Sequence, residues 1–392
     1  MKKYSIAAIA LLACLTSASS PASGQSYVVT DLGALSKKNS SPAALNNQGQ
    51  VTGTFFTTAD DQSAFLYTYA KGALEDLGGS VSDSVNRAFG INESAQVVGD
   101  STFGGAAFRA DGPSPYSHAA LFVGENAYDL GSLHPGEFSR ATGINAKGQV
   151  VGFSGPDADG ANSLAFVWSP GAGMSDIGTL GGAHARAVAI NEAGNITGDS
   201  ELASSALGEK HAFLYRMNSS GLVTDEAMID LGTLGGSSSY GTAINAANHV
   251  VGYSSTADGN VRAFLYDGKA MRNLGSLGGK TPGIDMSCAL GVNKTDRVVG
   301  YSYLPLDPIT YGSPLGSLHA PQPVAFLSEN GTMTDLNELI GSAAKTFRLY
   351  SATGINDQGQ ITANALEVES NTFHAVLLTP LPTDPPIRKA NR

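Results

Sequence analysis

The sequence predicts an all-β fold, a seven-bladed β-propeller of four-stranded blades that is closed by the N-terminal strand joining the last blade. One motif recurs seven times: an aliphatic residue and Asn, two further residues, a turn residue, and a short apolar run. The repeat asparagines are Asn46, Asn92, Asn145, Asn191, Asn245, Asn293 and Asn356. Their spacings of 46, 53, 46, 54, 48 and 63 residues, with four strand-like runs per unit, are typical of propeller blades. Glycine is 48 of 392 residues, which suits many short strands joined by tight turns.

The run that ends at each repeat Asn, strand A, has one small and one aliphatic face. The residue directly before the Asn is always aliphatic, and Ala or Gly stands two positions before it. Side chains alternate between the two faces of a strand, so this pattern has the period of a strand. Small side chains let backbones converge, and we therefore expect strand A to lie nearest the propeller axis.

The repeat Asn predicts a tight turn between strands A and B. Three residues after it, six of seven repeats carry Gly, Asn or Asp, which tolerate a left-handed backbone, whereas one carries Ala95. An Asn carboxamide can bond backbone groups two residues ahead and so stabilise the turn. The alternative is a set of seven Asn ligands, and we favour the hairpin interpretation.

The three other strands complete each blade. Strand B is a short run with Val or Ile at its second position, such as Gln149–Gly152. Strand C is rich in aromatic and β-branched residues, as in Ala64–Tyr67, which suits a half-buried strand. Strand D is Asp-Leu-Gly or a variant, beginning at Asp31, Asp76, Asp129, Asp176, Asp230, Asn273 and Asp335.

The strand count indicates how the ring closes. The first strand D precedes the first strand A, and the last unit has no strand D of its own. We therefore expect Tyr27–Leu35 to be the fourth strand of the last blade, pairing with the strand that contains His374–Leu378. The alternative, an open solenoid, would leave an unpaired strand at each end.

Three motifs together resemble a known family. They are His211-Ala212-Phe213, the Ile-Asn-x-x-Gly-Gln-Val-Val-Gly run at Ile144–Gly152, and Asp-Leu-Gly-Thr-Leu-Gly-Gly at Asp230–Gly236. Over residues 27–378 the chain resembles the bacterial extracellular repeat family that is named HAF after the first motif. The resemblance implies export and a repeat β fold, and it implies no activity or catalytic residues.

The two ends of the chain differ from the repeats. Residues 1–24 have the basic, apolar and small-residue regions of a signal peptide, so we expect a secreted or periplasmic protein with its propeller in residues 25–380. A lipid anchor at Cys14 is the alternative. We interpret residues 381–392 as a disordered tail. Since no other apolar run approaches 18 residues, no transmembrane segment is expected.

Composition excludes some classes of partner and cofactor. The formal net charge of −11 argues against a nucleic-acid binder. The seven histidines show no metal-binding spacing, and we expect neither metal nor cofactor. His118, His211 and His374 share one strand position, which favours a structural role. Cys288 is alone once Cys14 is removed, so no disulfide is expected. We expect a monomer.

The candidate ligand site lies where the copies differ. Five residues before the repeat Asn, three consecutive blades carry Arg87, Arg140 and Arg186, at the start of the innermost strand. Long B–C loops in blades 2 and 6 and long D–A loops beside blade 6 lie on the same face. We therefore predict a site at the mouth of the axial channel, in which these arginines face three loops. The loop residues that we assign to it are Lys280, Asp285, Tyr311, His319 and Arg348.

Two alternatives accompany this site. The arginines can instead pair with loop carboxylates such as Glu93 or Glu137, and the long loops can be products of neutral drift. For the function of the protein, we expect a non-enzymatic propeller that binds an anionic glycan or a cell-surface partner. The alternative function is that of a carbohydrate-active hydrolase or lyase. Two carboxylates within about 5–10 Å in a channel pocket would favour the enzyme.

Overall fold

The computed structural model confirms the predicted fold class. It consists of seven four-stranded antiparallel sheets whose A strands contact one another in blade order, and strand A of blade 7 contacts strand A of blade 1. The structure describes residues 26–33, 39–56, 62–78, 85–103, 117–124, 126–157, 160–203, 208–217, 228–278, 286–304 and 323–382. The expected signal peptide, Cys14 and residues 383–392 of the expected tail lie outside this part of the chain.

The two inner strands of the blades begin and end as follows. In blade order, the A strands are β2 (Ser40–Leu45), β6 (Asn86–Ile91), β10 (Phe138–Ile144), β14 (Gly181–Ile190), β18 (Gly235–Ile244), β22 (Ser287–Val292) and β26 (Phe347–Ile355). The B strands are β3 (Val51–Phe56), β7 (Val97–Thr102), β11 (Val150–Gly155), β15 (Ile196–Leu202), β19 (Val250–Thr256), β23 (Val298–Tyr303) and β27 (Ile361–Glu367).

The two outer strands follow the same order. The C strands are β4 (Gln62–Thr68), β8 (Ser117–Val123), β12 (Leu164–Ser169), β16 (Lys210–Tyr215), β20 (Val261–Tyr266), β24 (Pro323–Glu329) and β28 (Thr372–Pro380). The D strands are β5 (Ala73–Asp76), β9 (Asn126–Asp129), β13 (Gly173–Asp176), β17 (Met228–Asp230), β21 (Met271–Asn273), β25 (Thr332–Asp335) and, for blade 7, β1 (Tyr27–Asp31).

Short 3-10 helices interrupt the strands at Tyr69–Lys71, Leu336–Glu338 and Gly341–Lys345. Among the residues that the structure describes, no helix is long and apolar enough to cross a membrane.

The closure predicted from the strand count is confirmed. Strand β1 pairs antiparallel with β28, from Tyr27 opposite Pro380 to Asp31 opposite Val376. The Tyr27 hydroxyl accepts a hydrogen bond of 2.9 Å from Nη2 of Arg297 in blade 6. The two ends of the chain therefore complete one sheet, and the added strand also contacts the neighbouring blade.

A β-bulge interrupts strand A in every blade, and the sequence pattern did not reveal it. The register shift lies between the residues four and two positions before the repeat Asn, as between Ala187 and Ala189. In blades 1 to 6, the carbonyl oxygen just before the bulge lies against a strand-B glycine. A Cβ atom on those six glycines would lie 1.7–2.1 Å from that oxygen. In these six blades the bulge therefore leaves no room for a Cβ atom on the facing strand, whereas blade 7 has the same bulge opposite Ala363.

The inner strands are as crowded as their small residues predict. A Cβ atom on Gly291 would lie 3.0 Å from the Cα atom of Gly354 in the next blade. A Cβ atom on Gly143 would lie 3.4 Å from the Cα atom of Ala189. Larger side chains at these positions would push neighbouring blades apart.

The repeat asparagines form the predicted turn device and also link the blades. Each Oδ1 accepts hydrogen bonds from the backbone N–H groups two and four residues ahead. Each Nδ2 donates to the carbonyl oxygen of the next repeat Asn at 3.0–3.2 Å, and Asn356 donates to Asn46. The seven buried carboxamides therefore close a ring at one end of the propeller, hereafter the asparagine ring.

Replacing Ala95 by Gly is expected to stabilise the protein by about 0.5–1 kcal/mol. Ala95 has a φ of 58°, in the left-handed region that glycine adopts without strain. The reciprocal control is Gly148→Ala, at the same turn position with a φ of 74°, which should cost about 1 kcal/mol. Urea unfolding of both variants measures the difference. An Ala95→Gly protein no more stable than wild type would show that the methyl group's packing outweighs its backbone strain.

Candidate functional site

One layer of residues lies at the end of the inner strands opposite the asparagine ring. Each blade contributes the residue five positions before the repeat Asn and its cross-strand partner on strand B. The pairs are Ser41–Thr54, Arg87–Asp100, Arg140–Phe153, Arg186–Asp199, Tyr240–Tyr253, Cys288–Tyr301 and Ser351–Asn364. We call this layer the mouth belt. Its composition changes from cationic in blades 2 to 4 to phenolic in blades 5 and 6.

Asp100 joins two of the predicted arginines across a blade boundary. Its carboxylate is fully buried. Arg87 donates to it from Nε at 2.9 Å and from Nη2. Arg140 of the next blade donates to the same carboxylate from Nε at 3.3 Å and Nη2 at 3.2 Å. One carboxylate therefore orients two guanidinium groups.

Asp199 holds the third arginine in the same manner. Arg186 donates to this buried carboxylate from Nε at 3.1 Å and from Nη2 at 2.9 Å. The Lys210 ammonium lies 3.7 Å from it. Burial lowers the pKa of Arg186, but Asp199, together with smaller contributions from Tyr253 and Tyr240, offsets this, and the pKa is raised. The pair is therefore an ionic one in a partly desolvated setting.

The partners of the arginines are strand-B aspartates rather than the loop carboxylates that the alternative interpretation named. Glu93 instead accepts a hydrogen bond from the backbone N–H of Asn47, at 3.0 Å. Glu137 lies 3.1 Å from the ring of His134. The arginines are therefore paired with carboxylates of the mouth belt. Arg87 and Arg186 bind the aspartate of their own blade, and Arg140 binds the aspartate of the preceding blade.

The aspartates occupy only one edge of each guanidinium. Nε and Nη2 of Arg87, Arg140 and Arg186 are the donating atoms, and within the described residues none of the three Nη1 groups makes a hydrogen bond. Their side chains remain 27, 18 and 29 % exposed, respectively. Three guanidiniums also face only two carboxylates, so this part of the belt, in blades 2 to 4, has an excess of positive charge. We call it the arginine arc.

Arg140 is held on its apolar sides by three aromatic rings. Its guanidinium carbon lies 5.0 Å from the ring centre of Phe89, 5.2 Å from that of Phe138 and 5.5 Å from that of Phe153. Burial lowers the pKa of Arg140, and Asp100 partly offsets this. Cation–π contacts favour a charged guanidinium in such a desolvated position. Arg140 is therefore fixed in orientation between blades 2 and 3.

The phenolic arc of the belt begins next to Arg186. The rings of Tyr240 and Tyr253 stack with centroids 4.9 Å apart and an angle of 21° between the planes. Burial raises the pKa of Tyr253 to about 12, so this phenol is neutral at physiological pH. Burial also raises the pKa of the thiol of Cys288, which pairs across the strands with Tyr301. Sequence reasoning missed the strand-B partners, although each directly follows the strand-B glycine or Ala363.

Of the remaining predicted site residues, the structure describes only Arg348. Lys280, Asp285, Tyr311 and His319 lie outside the described residues. Arg348 is half-buried on β26 of blade 7, with its guanidinium carbon 5.5 Å from the ring centre of Tyr350.

The three equivalent histidines have the structural role that their shared position predicts. Each lies within 2.8–3.1 Å of the strand-D aspartate of its blade, in the pairs His118–Asp129, His211–Asp230 and His374–Asp31. The same aspartates accept a backbone N–H from the glycine two residues ahead. The His-Ala-Phe and Asp-Leu-Gly motifs therefore join strands C and D. In the described part of the chain no group of three or more potential metal ligands is present.

Comparisons with known proteins bear on the fold alone. No family model matches the chain, and no curated protein matches it. The propeller domain of the Trilobed protease from Pyrococcus furiosus is similar, with a TM-score of 0.50 and 8 % identity, over 91 % of this chain and 99 % of that one. That domain has an open velcro topology, whereas here β1 closes blade 7.

A second solved structure is that of a prolyl endopeptidase, with a TM-score of 0.50 and 10 % identity. The match covers 84 % of this chain and 47 % of the endopeptidase, so this chain corresponds to about half of that protein. TolB from Acinetobacter baumannii is also similar, at a TM-score of 0.43 and 9 % identity over 85 % of this chain and 63 % of TolB. At these identities the likeness concerns the β-propeller scaffold.

Proposed function

We propose that this protein is an exported, non-enzymatic propeller that binds an anionic ligand, such as an acidic glycan, at the mouth belt. The observation that carries the proposal is the side-on pairing of Arg87, Arg140 and Arg186. Asp100 and Asp199 occupy the Nε and Nη2 edges, and the Nη1 edges of three adjacent blades remain unbonded within the described residues.

The aspartates favour binding because they orient the donors in advance. A long arginine side chain loses rotamer freedom when it engages a ligand, and this costs about 0.5–1.5 kcal/mol for each immobilised side chain. Here that ordering is already provided by the fold. Guanidinium N–H groups suit carboxylate and phosphate oxygens, and such charge-assisted bonds contribute about 1.5–3 kcal/mol each. Three oriented donors therefore support binding of a ligand with several anionic groups.

The charge of the whole chain predicts how this binding depends on salt. A net charge of −11 repels anions at long range, so capture relies on the local positive excess of the arginine arc. Partly exposed ion pairs are screened at physiological ionic strength. We therefore expect modest affinity that falls as salt is raised.

The belt suits a binding role better than the alternative hydrolase or lyase. Such an enzyme needs one carboxylic acid that can protonate a leaving group and a second carboxylate nearby. The belt aspartates, Asp100 and Asp199, are buried and accept hydrogen bonds from arginines. In this arrangement they act as acceptors that orient cations, and neither is positioned to deliver a proton.

Neutralising the Arg186–Asp199 pair is expected to weaken binding of galacturonate trimer at least tenfold. The variant is the double substitution Arg186→Gln with Asp199→Asn. Arg186→Gln alone would leave a buried carboxylate without its guanidinium, which costs about 3–5 kcal/mol of stability. The double variant removes the Nη1 donor together with the carboxylate that would otherwise lose its guanidinium, and Lys210 remains as the cation beside position 199. Isothermal titration calorimetry at low salt measures the affinity.

A matched control is the exposed pair Arg272–Asp267, whose atoms lie 3.5 Å apart outside the belt. Arg272→Gln with Asp267→Asn makes the same chemical change and should leave the affinity unaltered. Equal affinity of the belt variant and wild type, or no binding of the trimer to wild type, would contradict the proposed function.

A further inference from the structure

We propose that the stacked pair Tyr240–Tyr253 is a subsite for a sugar ring, so that the ligand of the mouth belt is a carboxylate-bearing oligosaccharide rather than a simple anion. This inference rests on the proposed function and narrows its ligand class. The carboxylate of one sugar residue binds at Arg186, and the ring of the same or the adjoining residue packs on the tyrosines.

The first step is that the tyrosines and the arginine are neighbours. Tyr240 and Tyr253 are the belt pair of blade 5, and Arg186 and Asp199 are the belt pair of blade 4. A Cβ atom on Gly241, directly after Tyr240, would lie 3.0 Å from the carbonyl oxygen of Gly198. The inner strand of blade 5 therefore packs on the strand that carries Asp199.

The electrostatics of these groups agree with that packing. The phenols of both tyrosines contribute to the raised pKa of Arg186, after the opposing effect of burial and the larger contribution of Asp199. Arg186 in turn slightly offsets the raised pKa of Tyr253. Arg186, its buried counter-ion and the two tyrosines are therefore close enough to interact electrostatically.

The second step is that the tyrosine hydroxyls are not used by the fold. Buried tyrosine hydroxyls generally find a hydrogen-bond partner. Tyr240 and Tyr253 are only half-buried, and among the described residues neither hydroxyl has a hydrogen-bond partner. These phenols are thus available to a ligand.

The third step concerns which ligand fits both the arginines and the tyrosines of the mouth belt. A sugar ring presents a face of C–H groups, which packs on an aromatic ring, and a rim of hydroxyls, which bonds phenol hydroxyls. A carboxylate on that ring suits the Nη1 edge of Arg186. Inorganic phosphate would use only the guanidiniums. A uronate oligomer uses the cationic arc and the phenolic arc together, and it is therefore the occupant that the belt favours.

The test compares three probes on wild-type protein and on tyrosine variants by isothermal titration calorimetry. The probes are galacturonate trimer, citrate, which has three carboxylates and no ring, and hexaglutamate as an acidic peptide. Wild type should bind the trimer at least tenfold more tightly than either of the others. Tyr240→Leu should weaken trimer binding at least fivefold and leave citrate binding unchanged. Tyr240→Phe, which keeps the ring and loses the hydroxyl, should lie between wild type and Tyr240→Leu.

Tyr128→Leu is the matched control, since Tyr128 is exposed on the outer strand β9, and it should leave all three affinities unchanged. The subsite is overturned if Tyr240→Leu binds the trimer as wild type does, or if citrate binds wild type as tightly as the trimer. It is also overturned if hexaglutamate is the tightest probe, which would indicate a protein partner. In these cases loss of binding in the Arg186→Gln/Asp199→Asn variant would still support the proposed anion site.

A second measurement does not depend on the folding of any variant. Saturation-transfer NMR on wild type, with irradiation of the aromatic protons, should give the largest transfer to C–H protons on one face of a galacturonate ring. Uniform transfer over the ring would contradict stacking. If no probe binds wild type at all, the proposed function fails together with the subsite.

Discussion

Replacing Gly198 by Ala is expected to destabilise the protein by at least about 4 kcal/mol and to leave little folded material. A Cβ atom at this position would lie 1.9 Å from the carbonyl oxygen of Arg186 and 2.9 Å from its carbonyl carbon. Both atoms are backbone, so no side chain can rotate to relieve the collision. Relief would require the backbones of β14 and β15 to move apart, and this would move the strand that positions Arg186.

Two control variants separate this collision from other effects of the substitution. Gly72 has a φ of 56° and nothing within 4 Å of an added Cβ atom. Gly72→Ala should therefore cost only the backbone strain of about 1–2 kcal/mol. Ala363 stands in blade 7 where the other blades have the strand-B glycine, and Ala363→Gly should cost about 0.5–1 kcal/mol. Thermal and urea unfolding compare the three. A Gly198→Ala protein as stable as Gly72→Ala would show that the bulge is easily rearranged.

The asparagine repeat shows how far sequence reasoning reaches into this fold. The turn between strands A and B is a local structure, so the spacing of Asn and a left-handed residue was enough to predict it. The bond from each Nδ2 group goes instead to a carbonyl oxygen in the next blade. Such an acceptor is present in every residue, and its position depends on how the blades stack. Its identity therefore became clear only from the structure.

The mouth belt likewise has a part that the sequence predicts and a part that only the structure shows. Counting back from the repeat Asn placed Arg87, Arg140 and Arg186 in one layer, because the residue five positions before the Asn has the same register in every blade. Their partners, Asp100 and Asp199, lie 13 residues further along the chain from Arg87 and Arg186. Finding them required the cross-strand register, which the bulge shifts by one residue. The residue after the strand-B glycine was the available signal, and it varies among blades as a ligand site should.

Deleting residues 25–36 is expected to destabilise the whole ring by several kcal/mol, because the deletion removes strand β1 from blade 7. The loss includes five ladder positions, the hydrogen bond between Tyr27 and Arg297, and the contact of Asp31 with His374. It also exposes the edge of β28, and an unpaired edge invites association with other chains. The thermal midpoint of the deletion variant measures the effect, and light scattering reports aggregation.

Point substitutions in the same segment test whether closure or merely chain length matters. Leu32 is fully buried between blade 7 and blade 1, in contact with a cluster that includes Phe55 and Leu377. Leu32→Ala should therefore cost about 2–5 kcal/mol. Val28 lies on β1, four residues before Leu32, but is 50 % exposed, and Val28→Ala should cost less than about 0.5 kcal/mol.

The difference between these two variants measures how much the contact between blades 7 and 1 contributes to stability. If β1 were an optional addition, both substitutions and the deletion would leave the unfolding midpoint near that of wild type. If closure holds the ring together, Leu32→Ala should lower the single cooperative transition of the whole protein, because blades 7 and 1 are joined through this side chain. A separate early transition in Leu32→Ala, with the rest of the protein unaffected, would instead show that the N-terminal strand detaches on its own.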